Sequence, residues 1–181
     1  LVEAGDRERV AAYVGRLGET AQQSLKEMRL LVYELRPPAL EAEGLVGALQ
    51  QRLDAVEKRA GVQARLVVED TLDLPAAVEE ALYRIVQEAL NNALKHAAAT
   101  QVTVKLRAGG NRVEVEVMDN GRGFDPRTVP DRGGLGLISM SERAEKLGGS
   151  LTVMTGPGEG TAILVTIGLM KTTGKEEIRE K

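Results

Sequence analysis

The sequence predicts an α/β domain of the α+β kind, preceded by one long helix. Several short runs alternate apolar and polar residues, as half-buried strands do, and others repeat apolar residues every three or four positions, as helices do. Glycine- and proline-rich turns separate these runs. With 181 residues, 43% of them hydrophobic and 28% charged, the chain is long enough for one domain with a sizeable core and an appendage.

The first element is a long amphipathic helix over residues 6–36, ended by Pro37 and Pro38. Its apolar stripe consists of Val10, Val14, Leu17, Ala21, Leu25, Met28, Val32 and Leu35. A solitary helix exposing such a stripe is unfavourable, and the alternative is that it folds back on its own domain. We expect an intermolecular bundle instead, with residues 1–38 as a dimerisation segment, because the Pro-Pro break separates the stripe from the rest of the chain.

The remaining elements come in order after the break. Helices are predicted over residues 44–59, where Gly61 ends the helix, then from Leu74-Pro75 through the run EEALYRIVQEALNNALKHA, and over 139–147. Strands are predicted over 62–69, 101–107, 113–118, 150–154 and 161–167, with a hairpin between the second and third. Residues 121–136 are expected to form a mobile loop and 171–181 a solvated charged tail.

Composition excludes several classes of function. There is no cysteine, so disulfides and thiolate metal sites are absent, which suits a reducing, cytoplasmic compartment. A net charge of -3 and only 2% aromatic residues make nucleic acid an unexpected partner. No apolar run reaches membrane-spanning length, so we expect any membrane attachment to lie outside this chain.

The polar residues of the third predicted helix point to a phosphate site. Glu88, Asn92 and Lys95 stand at i, i+4 and i+7, so that in a helix they share one face, while His96 points further round. Such a row is also typical of an ordinary salt-bridging surface. Two glycine-rich stretches downstream, residues 119–123 and 133–137, favour the functional interpretation because they bring backbone amides close to a ligand.

An ordered set of strings carries a family resemblance: LRP with Leu40, Gly44-Leu45 and Ala48-Leu49, then QEALNNALKHA, DNGRGF, GGLGL and GEGT. The chain resembles the GHKL superfamily of ATPases, which have the Bergerat fold. Within it, the chain is most similar to sensor histidine kinases of the nitrate-sensor class, whose partners are helix-turn-helix response regulators of the NarL type. The resemblance implies a two-layer α/β sandwich with a mixed, mostly antiparallel sheet, and an ATP-binding domain over residues 39–170.

The resemblance also implies roles for individual residues. Asp119 corresponds to the adenine reader, Thr161 supports that contact, and Gly121 and Gly123 allow backbone to approach the base. Asn92 corresponds to the Mg²⁺ ligand, and Lys95, assisted by His96, to a phosphate contact. Gly133, Gly134, Leu135, Gly136 and Leu137 correspond to the lid over the triphosphate. Glu88 corresponds to the glutamate that positions the attacking nucleophile or removes its proton.

The phosphoacceptor is not found in the first helix, because residues 6–36 contain no histidine. By resemblance this helix matches the second helix of the dimerisation hairpin, so we expect the acceptor histidine upstream of Leu1, with a homodimer and a response regulator as partners. Two alternatives remain: a serine kinase of the anti-sigma-factor type, and a non-catalytic, nucleotide-free dimerising interaction module. The long first helix argues against the former, and the complete glycine-rich stretches argue against the latter.

Overall fold

The computed structural model describes residues 37–70, 73–125 and 135–169, together with Val10, Tyr13, Val14 and Gly18. It divides the chain into two units, Leu1–Pro37 and Pro38–Lys181. In the first unit, Val10, Tyr13, Val14 and Gly18 are helical, and the first three of these side chains are more than half exposed. The rest of the predicted first helix and the charged tail lie outside the described residues.

The second unit is built on one five-stranded sheet. Its strands are β1 (Gln63–Val68), β2 (Gln101–Gly109), β3 (Arg112–Asp119), β4 (Ser150–Thr155) and β5 (Thr161–Gly168). They lie in the order β1-β2-β3-β5-β4, with β1 parallel to β2 and every other pair antiparallel. The predicted mixed, mostly antiparallel sheet is therefore confirmed, and each strand lies within two residues of its predicted bounds.

The first helix of this unit, α1 (Pro38–Ala60), begins earlier than the predicted start at Gly44. Proline is tolerated in a first helical turn, which is why α1 can begin at Pro38. Gly44 interrupts α1 with φ 66° and ψ -174°, which is accessible essentially only to glycine. Glu79 Oε1 accepts a 3.2 Å hydrogen bond from the N–H of Leu45 and so caps the helix where it restarts.

The other helical ends show how local sequence fixes the boundaries. Gly61, with φ 65°, donates a 3.0 Å hydrogen bond to Glu57 O and ends α1 as predicted. Helix α2 (Ala76–Asn92) follows Pro75, and helix α3 (Leu135–Lys146) begins before its predicted start at Ser139. The glycine-rich sequence at the beginning of α3 predicts a loop, and this prediction is wrong from Leu135 onward. Residues 126–134 of that predicted loop lie outside the described residues.

The helices cover one face of the sheet and form the core with it. The strand residues facing the helices are almost fully buried: Val102, Val104, Leu106, Val113, Val115, Val117, Ile163, Val165 and Ile167. The opposite face carries charged pairs, including Arg107 with Glu69 at 2.6 Å and Lys105 with Glu116 at 3.4 Å. This two-layer arrangement confirms the predicted sandwich. No helix in the described ranges is long and apolar enough to cross a membrane.

Candidate functional site

Helix α2 carries two polar residues at the edge of the buried layer. Leu82, Ile85 and Val86 are fully buried, which fixes the face of α2 that contacts the sheet. Glu88 and Asn92, one turn apart, are only partly buried. The described residues make no hydrogen bond with either side chain, so both retain their full capacity to bind a ligand.

A π-turn, Ala93–Ala97, follows α2 and ends at Ala98, which has a left-handed backbone with φ 51° and ψ 37°. A π-turn closes i→i+5 hydrogen bonds, so each residue advances the chain by a smaller rotation than in an α-helix. His96, four residues after Asn92, therefore lies nearly above it, while Lys95 is turned aside. His96 lines the site cavity and Lys95 does not, which differs from the predicted row of Glu88, Asn92 and Lys95.

The loop after β3 fixes the far end of the π-turn. Ala97 O accepts a 2.8 Å hydrogen bond from the N–H of Arg122. Gly121 lies so close that a Cβ there would be 2.5 Å from both the Cβ and the carbonyl oxygen of Ala97. The Asn120 side chain accepts two hydrogen bonds of 2.9 Å from successive N–H groups at the start of β2. The loop is therefore held in one conformation by contacts with the protein itself.

Asp119 ends β3 beside the first residue of β5, Thr161. Its Oδ1 accepts a 2.8 Å hydrogen bond from the N–H of Gly121. Burial raises the pKa of the Asp119 carboxyl, opposed by the backbone hydrogen bonds from Gly121 and Thr161, which lower it. Backbone N–H groups thus orient the half-buried carboxyl group, and its charge is partly shielded from water.

The turn between β4 and β5 supports the second glycine of the loop. Gly123 has φ 56°, and a Cβ there would collide with Gly156 O. Thr155 Oγ1 accepts a 3.1 Å hydrogen bond from the N–H of Phe124 and lies 3.4 Å from Thr161 Oγ1. Two threonines therefore connect this loop to the start of β5.

The first turn of α3 lies over the polar edge of α2. A Cβ at Gly136 would be 2.5 Å from Glu88 Oε1 and 3.3 Å from Asn92 Nδ2. Leu135 is 68% exposed, whereas Leu137 is partly buried. Gly133 and Gly134, the other predicted lid residues, lie outside the described residues.

These elements enclose a cavity of about 200 Å³. Among the predicted site residues, those lining it are Asn92, His96, Asp119, Gly123, Gly136, Leu137 and Thr161. Gly121 adjoins it through its hydrogen bond to Asp119, and Glu88 through its contact with Gly136. Leu135 and Lys95 are exposed and do not line it.

The apolar walls of the cavity were not predicted as site residues. They are Ala89, Ala93, Ala97, Phe124 and Ile163, and Arg122 adds a guanidinium at an exposed position. The helical pattern of the sequence indicates only core positions for the first two alanines. Ala89, Ala93 and Ala97 follow one another at intervals of four, and three small residues on one helical face leave room for a flat ligand. This spacing is the pattern in the sequence from which the apolar wall could have been predicted.

Comparison with known families identifies this arrangement. Residues 77–171, slightly more than half of the chain, match the family described as histidine kinase-, DNA gyrase B- and HSP90-like ATPase. The chain belongs to this family. The match begins at the start of α2 and includes every cavity-lining residue.

Relatives of this chain include proteins named as sensor kinases. The chain is 38% identical over 152 residues to the signal transduction histidine-protein kinase/phosphatase DegS of Brevibacillus brevis, covering 83% of this chain and 39% of DegS. It is 39% identical over 147 residues to the sensor histidine kinase LiaS of Bacillus subtilis, covering 81% of this chain and 40% of LiaS. The chain thus spans about two fifths of the length of these relatives.

A solved structure supports the same fold. The histidine kinase domain of the blue-light activated histidine kinase from Erythrobacter litoralis EL346 superposes with a TM-score of 0.56 at 28% identity, covering 69% of this chain and 60% of that one. The helix-covered open sheet therefore has the fold of a histidine kinase ATPase domain.

Proposed function

We propose that this chain is the ATP-binding catalytic region of a two-component sensor histidine kinase, which transfers the γ-phosphoryl group of ATP to a histidine. The observation that carries the proposal is the cavity itself. It is lined by the half-buried Asp119, by Asn92, whose amide has no hydrogen-bond partner among the described residues, and by small and apolar residues. The planar base of ATP would pack against the apolar walls, and its charged triphosphate would lie at the polar edge of α2.

The Asp119 carboxylate gives the cavity its selectivity for adenine. A carboxylate accepts a hydrogen bond from the exocyclic amine of adenine, whereas guanine presents a carbonyl oxygen at that position. The backbone hydrogen bonds from Gly121 and Thr161 fix the carboxylate in advance, so that little conformational freedom is lost on binding. Thr161, Gly121 and Gly123 complete this end of the proposed site.

Mg²⁺ fits the polar edge of α2 through the Asn92 amide oxygen. The described residues contain no group of three or more His, Cys, Asp or Glu side chains that could hold a metal on their own. Mg²⁺ is commonly bound by one or two protein oxygens together with the phosphates of a nucleotide, for which one amide beside an open cavity is sufficient.

Glu88 is assigned the positioning of the nucleophile. A loose phosphoryl-transfer transition state gains more from alignment and charge neutralisation than from proton removal. Glu88 Oε1 lies at the first turn of α3, next to Asn92, so it is well placed to orient the attacking imidazole. Lys95 and His96 are assigned to the phosphates, with Gly133, Gly134, Leu135 and Leu137 as lid residues.

The rest of the reaction belongs to a longer protein. We assign residues 1–38 to the second helix of a dimerisation hairpin, 39–170 to the ATPase domain and 171–181 to a tail. The acceptor histidine is then on a helix upstream of this chain, the homodimer forms through the hairpin, and a cytoplasmic response regulator receives the phosphoryl group. The names of DegS and LiaS favour this over the serine kinase alternative.

A nucleotide titration tests the proposal. Binding of fluorescent ATP is measured with and without Mg²⁺ on this chain and on its Asp119→Asn and Asn92→Ala variants. We expect Asp119→Asn to weaken binding under both conditions, and Asn92→Ala to remove chiefly the gain that Mg²⁺ provides. No ATP binding by the unaltered chain would refute the proposal, and equal Mg²⁺ dependence in the Asn92 variant would refute the role of that residue.

The chemical nature of the product separates the kinase alternatives. When the chain is joined to its upstream segment, we expect labelled phosphate in an acid-labile, base-stable linkage, as phosphohistidine gives. An acid-stable phosphoserine would favour the serine kinase. The isolated chain contains one histidine, His96, and we expect no acid-labile label on it.

A further inference from the structure

A hydrogen bond between helices holds the end of α2 against α1. Arg52 Nη2 of α1 donates a 2.9 Å hydrogen bond to Asn91 Oδ1 of α2, across 39 positions of sequence. Both residues are partly buried, and Arg52 follows the core residue Leu49 by three positions on the same side of α1. The bond therefore joins the two helices at the level where α2 gives way to the π-turn.

The arginine is an unfavourable choice if the only requirement is packing. Its Nε atom is buried and has no hydrogen-bond partner among the described residues. A buried donor without a partner loses its hydration and gains nothing in return, whereas an apolar pair of similar volume has no such penalty. The described contacts of Arg52 with Asn91 thus serve a purpose other than filling space.

The location of Asn91 indicates that purpose. Neighbouring residues on an α-helix point in directions that differ by about 100°, since the helix has 3.6 residues per turn. Fixing Asn91 on the side of α1 therefore fixes Asn92 in the direction of the cavity, which it lines. The π-turn after Asn92 is held at its far end by the hydrogen bond from Arg122 to Ala97, so the segment between is fixed at both ends.

We infer that Arg52 is a positioning residue for the nucleotide site, acting through Asn91 on the proposed metal ligand Asn92. The inference rests on the proposed function. Without the bond, Asn91 is no longer tied to α1, and we expect the Asn92 oxygen to spend less time in the direction where a nucleotide-bound Mg²⁺ ion would meet it. Residues that orient a metal ligand without contacting the metal commonly affect metal affinity when they are replaced.

The test measures how much Mg²⁺ strengthens ATP binding, as the ratio of the dissociation constants without and with the ion. Arg52→Met keeps most of the stem and removes the hydrogen bond. We expect the ratio to fall by roughly tenfold, the lower end of what such residues contribute, with ATP affinity in the absence of Mg²⁺ unchanged. Arg59→Met is the matched control, because Arg59 is exposed in the last turn of the same helix, and its ratio should equal that of the unaltered chain.

A paired substitution separates positioning from stability. In Arg52→Met combined with Asn91→Leu, both polar partners become apolar, so the melting temperature should recover toward that of the unaltered chain, while the Mg²⁺ ratio stays low. Asn91→Asp, which preserves an acceptor for Arg52, should keep the ratio. If Arg52→Met does not fold, Asn91→Leu alone is expected to show the same tenfold fall.

The possible outcomes are distinguishable. An unaltered chain that binds ATP with Mg²⁺ dependence, together with an Arg52→Met variant whose melting temperature falls but whose ratio does not, overturns the inference and leaves the proposed function standing. Recovery of both stability and ratio in the paired variant also overturns it, because the bond would then serve packing alone. Absence of ATP binding in the unaltered chain overturns the proposed function and this inference together.

Discussion

Replacing Gly136 by alanine should damage the proposed catalysis while leaving the fold intact. The new Cβ would lie 2.5 Å from Glu88 Oε1 and 3.3 Å from Asn92 Nδ2. An ordinary contact begins at 3.4 Å, so the carboxylate must move by at least 3.4 - 2.5 = 0.9 Å. Because that oxygen is the far end of a flexible side chain, the movement costs little folding free energy. Removing a glycine from a helix contributes about 0.5–1 kcal/mol in the opposite direction.

The effect on phosphoryl transfer should be much larger than the effect on stability. A misplacement of about 1 Å in a positioning group can cost about 100-fold in rate, which corresponds to about 2.7 kcal/mol at 1.36 kcal/mol per tenfold. We therefore expect autophosphorylation to fall by roughly 100-fold in a protein that joins this chain to its acceptor segment. The melting temperature should stay the same or rise slightly.

The assay needs a control in which another glycine, distant from any close contact, is replaced by alanine. Gly168→Ala is suitable, because a Cβ at Gly168 meets nothing within 4 Å and its φ is not in the left-handed region. Initial rates of labelled phosphate incorporation and urea denaturation are compared for the two variants and the unaltered protein. Full activity of Gly136→Ala at unchanged stability would refute the reasoning, because Glu88 could then be displaced without consequence.

Three further predictions concern pH and backbone conformation. Burial raises the pKa of the Asp119 carboxyl, so the folded state binds the carboxyl proton more tightly than the unfolded state does. Folding stability should therefore fall as pH rises from the unfolded-state pKa to the folded-state pKa. Asp119→Asn should remove this slope in thermal melts between pH 3 and 8, and an identical slope in the variant would contradict the prediction. Gly123→Ala forces a left-handed alanine against Gly156 O, and chemical denaturation should show a loss of at least about 2 kcal/mol, with Gly109→Ala nearly neutral as its control. Ala98→Gly relieves a left-handed alanine and should add about 0.5–1 kcal/mol of stability in the same measurement; a loss would show that Ala98 gains more from its side chain than it loses in strain.

Elements with a local cause were predictable from the sequence. The strands β2 and β3 alternate apolar and polar residues without interruption, so their bounds differ from the prediction by at most two residues. Gly61 ends α1 as predicted, because the left-handed conformation it adopts is a property of glycine itself. The register of β3 and β5 pairs Asp119 with Thr161, the two residues to which the resemblance gives a shared role.

Elements imposed by tertiary contacts were not predictable. The residues of the π-turn, ALKHA, suit an ordinary α-helix, and nothing in them indicates a wider turn. The turn is held by Ala97, whose carbonyl accepts the N–H of Arg122, a partner 25 positions away (122 - 97 = 25). The early start of α3 has a similar cause, because Leu135 and Gly136 look like loop until the contact with Glu88 is known.

The glycines of the site show why its motifs can be recognised in the sequence although its geometry cannot be predicted from them. The sequence suggested that Gly121 and Gly123 make room for a nucleotide. In the structure these two glycines, and Gly136 as well, also make room for protein: Gly121 against Ala97, Gly123 against Gly156 O, and Gly136 against Glu88. A Cβ at Gly121 or Gly123 would force apart two segments that meet beside the cavity, whereas a Cβ at Gly136 would displace the Glu88 carboxylate. The glycines of these motifs are therefore needed for contacts within the protein as well as for contacts with a ligand. A substitution at Gly121 or Gly123 should open the cavity even though it leaves the ligand-binding atoms unchanged.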